Sequence, residues 1–399
     1  MSLLSKRDEI KRNGIREIME LASAIDGPVI ELQIGQPIAE IPSFVKAAAI
    51  QAIQDNFSSY TANAGIPSLR KAIVNRMQSK YGVEIGLNNV VVSPGAVAAL
   101  NIVLLSIVDV GEEVLIPDPA YPNYDSLIRI QNAIPKYYPT DPNNEYLPEL
   151  DKLEDMITEK TKAIIVNSPS NPTGAVLEKD TYKKLIEIAR KRNIYIISDE
   201  IYDELVYEKD HISALSVDSS YNDFIICVYG FSKTFAMTGW RLGYAILPDH
   251  LYSITTKLQE PITTCASSIS QKAGEAALTS PLADEFVKEM NQLYRKKRDL
   301  ACELLDKYET KFVKPNGAFY IIIDISETNM DSMDFAKSLL IERKVAVAPC
   351  STFGPSGDNM IRICFAGDEE KLKEGIEALG EFYQEKVSGN NEVEQLAVE

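Results

Sequence analysis

Lys233 stands in the stretch Tyr229 to Tyr244, YGFSKTFAMTGWRLGY, among small, aromatic and hydroxyl residues. No other charged residue occurs between Asp223 and Arg241. Most lysines sit among other charges on a solvated surface. In a pocket, desolvation disfavours the ammonium and brings the amine toward neutrality at ordinary pH. A neutral amine attacks carbonyls and forms Schiff bases. A buried-turn lysine with its stem packed and its head wet fits the same stretch. Three other groups invite chemistry. Arg241 follows Lys233 beside Gly239 and Gly243. Asp199 closes the apolar run IYIISD, where it suits either a cationic partner or the N-cap of a helix over DEIYDEL. Arg362 is flanked by apolar residues in MIRICF, and a buried guanidinium needs an anion, from a ligand or a structural ion pair.

Several elements must position these groups. From Asn89 on, short apolar runs (VVVS, then 113–117, 162–167, 194–198 and 224–229) are separated by helical stretches such as 96–108 and 179–191. Apolar strands alternating with helices predict a mostly parallel sheet covered on both faces, with active groups at strand C-termini. Asn167, Asp199 and Gly230 fall at such ends. Before this core, an amphipathic helix is expected over 6–25, a strand in VIELQIGQP, a helix capped by Ser43, and another over 66–81. After it come a helical tract over 268–307 and β-rich runs at 318–324, 345–349 and 360–365, which read as a smaller α+β domain. Residues 388–399 are polar and expected to fray.

The totals exclude several classes. The 399 residues carry 41 basic and 58 acidic side chains, a net charge of −17, which argues against nucleic acid as a partner. With 45% hydrophobic and 25% charged residues, the chain can bury a sizeable core. Five scattered cysteines, none in CxxC, point to a reducing cytoplasm and not to a disulfide framework or zinc site. Two histidines outside any motif leave no basis for a Ser-His-Asp triad. No apolar run reaches the roughly 18 residues of a membrane helix, and no metal or membrane partner is expected.

The stretches NSPSNPTG (167–174), SDEIYDELVY (198–207), SKTFAMTGWRLGY and IRICFA (361–366) occur in this order with compatible spacing. Together they resemble the class I/II aminotransferases, the aspartate aminotransferase family of fold type I pyridoxal-phosphate (PLP) enzymes, over roughly Leu32 to Gly367. The resemblance implies an α/β fold: a large domain (46–285) with a mostly parallel sheet covered on both faces, and a smaller α+β domain (286–387). The segment 1–45 packs on the small domain, so that both chain ends build it, and 388–399 is a flexible tail. It further implies cis prolines after Asp118 and Asn171, and a homodimer with sites at the interface.

It also implies roles for particular residues. Lys233 matches the Schiff-base lysine and proton carrier, and Asp199 the partner of the pyridinium nitrogen. Asn171 and Tyr202 match donors to the cofactor's phenolic oxygen, against turn chemistry for Asn171 and core packing for Tyr202. Tyr121 matches the aromatic that stacks on the ring, against a buried tyrosine. SPGAVAAL resembles the phosphate cradle, with Gly95 and the Ala96 and Val97 amides at a helix N-terminus, joined by Ser232 and Arg241. Gly230 and Val97 depart from it, standing where many relatives have phosphate-binding hydroxyls. Tyr60 matches a tyrosine that reaches the phosphate of the partner subunit, against ordinary packing. Arg362, with Gly35 and Asn171, matches the substrate carboxylate pocket.

The activity so implied is ping-pong transfer of an amino group from an α-amino acid to a 2-oxo acid such as 2-oxoglutarate or pyruvate. A PLP lyase on the same fold is an alternative. A strict aspartate enzyme needs a cation for the second carboxylate. Val97 stands where one subgroup has lysine, and 258–271, near which another carries arginine, contains no Lys or Arg. The expected donor preference is therefore broad or apolar-leaning, with strict aspartate use as the runner-up.

Overall fold

The apolar runs of the middle of the chain become one eight-stranded sheet in the computed structural model, which describes residue 10 and residues 12–37, 40–218 and 221–398. A first short strand, β1 (Ile30–Glu31), lies outside that sheet. The sheet holds β2 (Val90–Ser93), β3 (Glu113–Asp118), β4 (Ile134–Asp141), β5 (Leu147–Pro148), β6 (Thr161–Asn167), β7 (Tyr195–Asp199), β8 (Ile225–Gly230) and β9 (Gly243–Ile246). Their spatial order is β2-β9-β8-β7-β6-β3-β4-β5. Pairings from β4 through β3, β6 and β7 to β8 are parallel, while β5, β9 and β2 join antiparallel. Ile164, Val166, Ile196 and Ile225 enter one apolar cluster, and Ala163, Ile165, Ile197 and Ile226 another. Two buried faces explain why these strands read as unbroken apolar runs. Asn167, Asp199 and Gly230 are the last residues of β6, β7 and β8, so parallel pairing brings them to one edge.

The chain ends meet in a second unit. β10 (Lys311–Phe312), β11 (Tyr320–Asp324), β13 (Ala348–Pro349) and β14 (Met360–Cys364) form an antiparallel sheet in the order β10-β11-β14-β13. β12 (Val345–Ala346) pairs in parallel with β1, and the helix Gly14–Ala24 packs against β13 and the helix Ser332–Arg343. The fold is therefore α/β with a large, mostly parallel sheet and a separate smaller antiparallel one.

Four expectations need correction or trimming. The helix expected over 6–25 is seen as Gly14–Ala24, capped by Asn13, whose side chain accepts from the Ile15 amide; residues 6–9 and 11 lie outside the described residues. Ser43 does not cap its helix but is the first helical residue, behind Pro42, whose φ of −53° already suits the turn. The tract 268–307 is two helices, Ser268–Thr279 and Ala283–Lys307, because Pro281 cannot continue the first. The polar residues after 388 continue the helix Glu369–Val398, consistent with their Glu, Gln, Leu and Ala content and lack of proline. Asp118-Pro119 and Asn171-Pro172 are cis as expected, and Ser168-Pro169 is a third cis bond.

Candidate active site

At the shared edge of β6, β7 and β8 opens a cavity of about 430 Å³. Asp199 is buried in its floor. The Tyr124 hydroxyl donates to Asp199 Oδ2 at 2.6 Å, and the Ile201 amide donates to Oδ1 at 3.2 Å. No helix forms over DEIYDEL, so Asp199 is not an N-cap: its Oδ1 closes only a turn after β7, whose residues 201–204 do not go on to a helix. Burial pushes its carboxyl up to about 6 despite these donors. A carboxylate offers about four lone-pair sites and two are used, leaving acceptor capacity. Asn167, in register with Asp199, anchors the neighbouring turn: its Nδ2 donates to Asp199 O and its Oδ1 accepts from the Asn171 amide.

Lys233 follows β8 on the turn that also presents Ser232. Its Nζ donates to Gly35 O at 2.6 Å, with the Phe319 and Tyr202 rings 5.6 and 5.9 Å away. The side chain lines the cavity, with Gly35 O, Tyr202 and Phe319 around the ammonium. That burial, helped by Arg362 and Arg241, lowers its pKa to about 8. Gly35 has no room for a side chain, since a Cβ there would lie 2.0 Å from the Tyr320 hydroxyl. That hydroxyl and the one of Tyr202 are hydrogen-bonded at 2.8 Å.

The far end of the cavity suits an anion. The helix Ala96–Ile107 starts there behind Gly95, which has φ of 93° and no side-chain cap. The Ala96 and Val97 amides find no acceptor among the described residues. Free N–H groups with the helix dipole behind them attract negative charge. A Cβ on Gly95 would lie 2.6 Å from Arg241 Nη2, and one on Gly243 would lie 2.5 Å from the Ala96 nitrogen. The two glycines therefore keep guanidinium and amides clear. Arg241 has no acidic partner among the described residues; its Nη1 donates to Thr238 O at 2.9 Å. A Cβ on Gly230 would meet Ile201 Cδ1 at 2.5 Å, so a hydroxyl side chain there would require the Ile201 side chain to move. Tyr121, ahead of the helix Pro122–Ile130, lines the wall edge-on to Tyr124, and burial pushes its phenol up to about 12.

At the opposite end lies Arg362 on β14, 2% exposed. Nη1 donates to Asn171 Oδ1 at 2.9 Å and Nη2 to Gln33 O at 2.6 Å. Nε has no partner. The guanidinium lies over the Tyr320 ring at 4.2 Å and the Phe353 ring at 4.9 Å. No carboxylate pairs with it among the described residues, so the structural ion pair is absent. A buried cation held only by neutral acceptors is poised for a ligand carboxylate.

The structure thus gathers Lys233, Asp199, Tyr202, Ala96, Val97, Tyr121, Asn171, Ser232, Arg241, Gly35 and Arg362 around one cavity, with Gly95 directly behind it. Tyr60 stays out: it is 89% exposed and lines no part of the cavity. Sequence reasoning placed Asn167 at a strand end but gave it no role, and it missed Tyr124, Gln33 and Tyr320, and the wall formed by Asn13, Ile15, Arg16 and Met19.

Residues 27–379 match the family described as Aminotransferase class I and II. The chain belongs to that family. It is 38% identical to an aspartate aminotransferase of Pyrococcus horikoshii, over 92% of this chain and 93% of that one. It is 33% identical to aromatic-amino-acid aminotransferase 2 of Thermococcus litoralis, over 97% and 99%. The solved aspartate aminotransferase of Thermus thermophilus with maleate superposes with a TM-score of 0.90 at 32% identity, covering 96% of this chain and 100% of that one. The fold is that of fold type I aminotransferases, and the chain is a PLP-dependent transaminase that moves amino groups between amino acids and 2-oxo acids.

Proposed function

We propose that this transaminase has a broad, apolar-leaning donor preference and works in the cavity described, with 2-oxoglutarate or pyruvate as acceptor. The observation that carries the reading is the substrate end: Arg362 awaits one carboxylate, while Ile15, Met19 and Ile34 supply apolar wall. The residues fit PLP. Lys233 offers an amine brought toward neutrality, and Asp199 a carboxylate with spare lone pairs for the ring nitrogen. The Ala96 and Val97 amides, Gly95, Ser232 and Arg241 offer donors and clearance for the phosphate, and Tyr121 an aromatic face. Asn171 and Tyr202 supply polar groups to the ring oxygen. Bound there, PLP supplies an aldehyde that takes up the amino group and a ring that accepts the α-carbon's electrons.

The rest is the work of the chain. Arg362, held by Asn171 and Gln33, fixes the substrate carboxylate and thereby the direction of the α-carbon hydrogen. Lys233 Nζ, kept partly neutral by burial, takes that proton and holds it for return. Asp199, as an anion, stabilises positive charge on the ring nitrogen. The aromatic walls exclude water. The unpaired Arg362 also favours an amino acid held by its carboxylate, which stays attached in transamination, over a decarboxylation.

The domain division at 46–285 and 286–387, with 1–45 on the small domain, a cytoplasmic location and a homodimer belong to the same proposal. Among the described residues no helix is long and apolar enough to cross a membrane. Tyr60, 89% exposed beside no site of its own, supports a dimer in which it serves the partner's cavity. Strict aspartate use is the second reading, favoured by relatives named aspartate aminotransferases. The test is kcat/KM for aspartate against alanine, phenylalanine and leucine. An aspartate value about a hundredfold above the rest, or roughly 2.7 kcal/mol, overturns the broad reading.

A further inference from the structure

The N-terminal helix brings a cation to the cavity that no mechanistic role uses. Arg16 lines the cavity beside Ile15 and Met19 of the same helix, Gly14–Ala24. The nearby carboxylates of that helix are taken: Glu17 pairs with Lys337 at 2.8 Å, and Glu20 with Arg12. Arg16 has no acidic partner among the described residues. The helix is also fixed in relation to Arg362. The Gly14 amide donates to Thr352 Oγ1 at 2.6 Å, and a Cβ on Gly14 would meet Met333 at 2.9 Å. Thr352 precedes Phe353, whose ring lies against the Arg362 guanidinium. One continuous set of contacts therefore sets both arginines around the same cavity.

We infer that Arg16 recognises the distal carboxylate of dicarboxylic substrates, above all a 2-oxo dicarboxylate acceptor, while Ile15 and Met19 receive apolar side chains. Two carboxylates would thus be held by two arginines, Arg362 for the one next to the reacting carbon and Arg16 for the distal one. The inference rests on the proposed substrate end of the cavity. Its magnitude is limited because Arg16 is exposed: a solvated ion pair discriminates only a few-fold, and a fully buried one about a hundredfold. An effect of about tenfold lies between these and gives dicarboxylates an advantage without strict specificity.

The test uses holoenzyme carrying Arg16→Met, Arg16→Lys or, as a control on the same helix, Arg12→Gln. The expected result for Arg16→Met is a fall of about tenfold in the kcat/KM ratio of 2-oxoglutarate to pyruvate, carried mainly by KM. Arg16→Lys restores part of the ratio and Arg12→Gln leaves it as in wild type. Calorimetry with glutarate and butyrate, which do not react, should show the same loss for glutarate alone. A ratio and a glutarate affinity both within about twofold of wild type in Arg16→Met overturn the inference, on the scale of a solvated ion pair. Wild-type enzyme that transaminates neither acceptor overturns the proposed acceptor range instead, and glutarate affinity then decides the role of Arg16 by itself.

Discussion

Tyr124→Phe removes a single hydroxyl from the Asp199 carboxyl and keeps the buried ring. In the wild-type protein burial places that carboxyl at about 6, against an ordinary value of 3.8. The Tyr124 hydroxyl at 2.6 Å is the shorter of the two hydrogen bonds described at its oxygens. A hydrogen bond to a charged group contributes about 1.5–3 kcal/mol, and 1.36 kcal/mol corresponds to one pH unit. Without it the carboxyl midpoint should rise by about one to two pH units, to roughly 7–8. The sign follows from burial. The folded protein favours the protonated acid, so its contribution to stability is complete below 3.8 and is lost as pH rises through the folded midpoint. In the variant that loss extends to higher pH. Carbon NMR of labelled aspartate in cofactor-free protein reads the midpoint directly. A midpoint that stays near the wild-type value would falsify the argument, because Tyr124 would then contribute packing and no charge stabilisation.

Three further outcomes are expected. Borohydride reduction after PLP binding should label Lys233 alone, and the rate of PLP capture by cofactor-free protein should rise up to about pH 8 and then level, because the neutral amine is the reactive form; Lys233→Ala should take up no label. Arg362→Met should lower kcat/KM about a hundredfold or more for every amino acid, whatever its side chain; a donor that keeps wild-type efficiency would show that the guanidinium serves only the fold. Tyr60→Ala and Lys233→Ala chains, each impaired alone, should recover activity on mixing, since a mixed dimer carries one intact site; no recovery over either parent places Tyr60 outside the partner's site.

Some of this site was legible in the sequence because single residues there contradict their surroundings. Lys233 lacks charged neighbours in the sequence, Asp199 ends an apolar strand, and Arg362 interrupts another. The parallel sheet was legible from apolar runs, since two buried faces leave no alternation to misread. Tyr124 was not legible, because its partner lies 75 residues later and the two meet only across the sheet order β7-β6-β3. A signal existed: Tyr124 falls three residues after Tyr121, in the first turn of the helix that Tyr121 precedes, and the two rings meet edge to face. Asn167 was noted as a strand end but not given a role, although strand-end logic covers it as well as Asp199. Tyr320 and Gln33 belong to the unit built from both chain ends, where β1–β12 pairing is only two residues long and leaves almost no pattern. Ser43 and the tract 268–307 failed for local reasons, both involving a proline.

The polar groups of the cavity share one physical condition. Among the described residues Arg362 keeps an unpartnered Nε and the Ala96 and Val97 amides lack acceptors, and Asp199 and Lys233 are both displaced toward their neutral forms. In an apolar core each would be costly, and such groups are normally paired. Here they surround one space whose described lining holds four basic residues, Arg16, Lys233, Arg241 and Arg362, against the single acid Asp199. The chain as a whole is acidic by 17 charges, so the cavity is a positive island in a negative field. Such an island favours ligands with more than one negative group, separated so that each meets a different cation. A phosphate at Arg241 and a carboxylate at Arg362 meet that condition, and the lone acid then falls to whatever positive charge the ligand carries between them. The same arrangement explains why the glycines at 35, 95 and 243 matter more than their size suggests. A Cβ at Gly95 or Gly243 would crowd Arg241 Nη2 or the Ala96 nitrogen, and one at Gly35 would collide with the Tyr320 hydroxyl beneath Arg362.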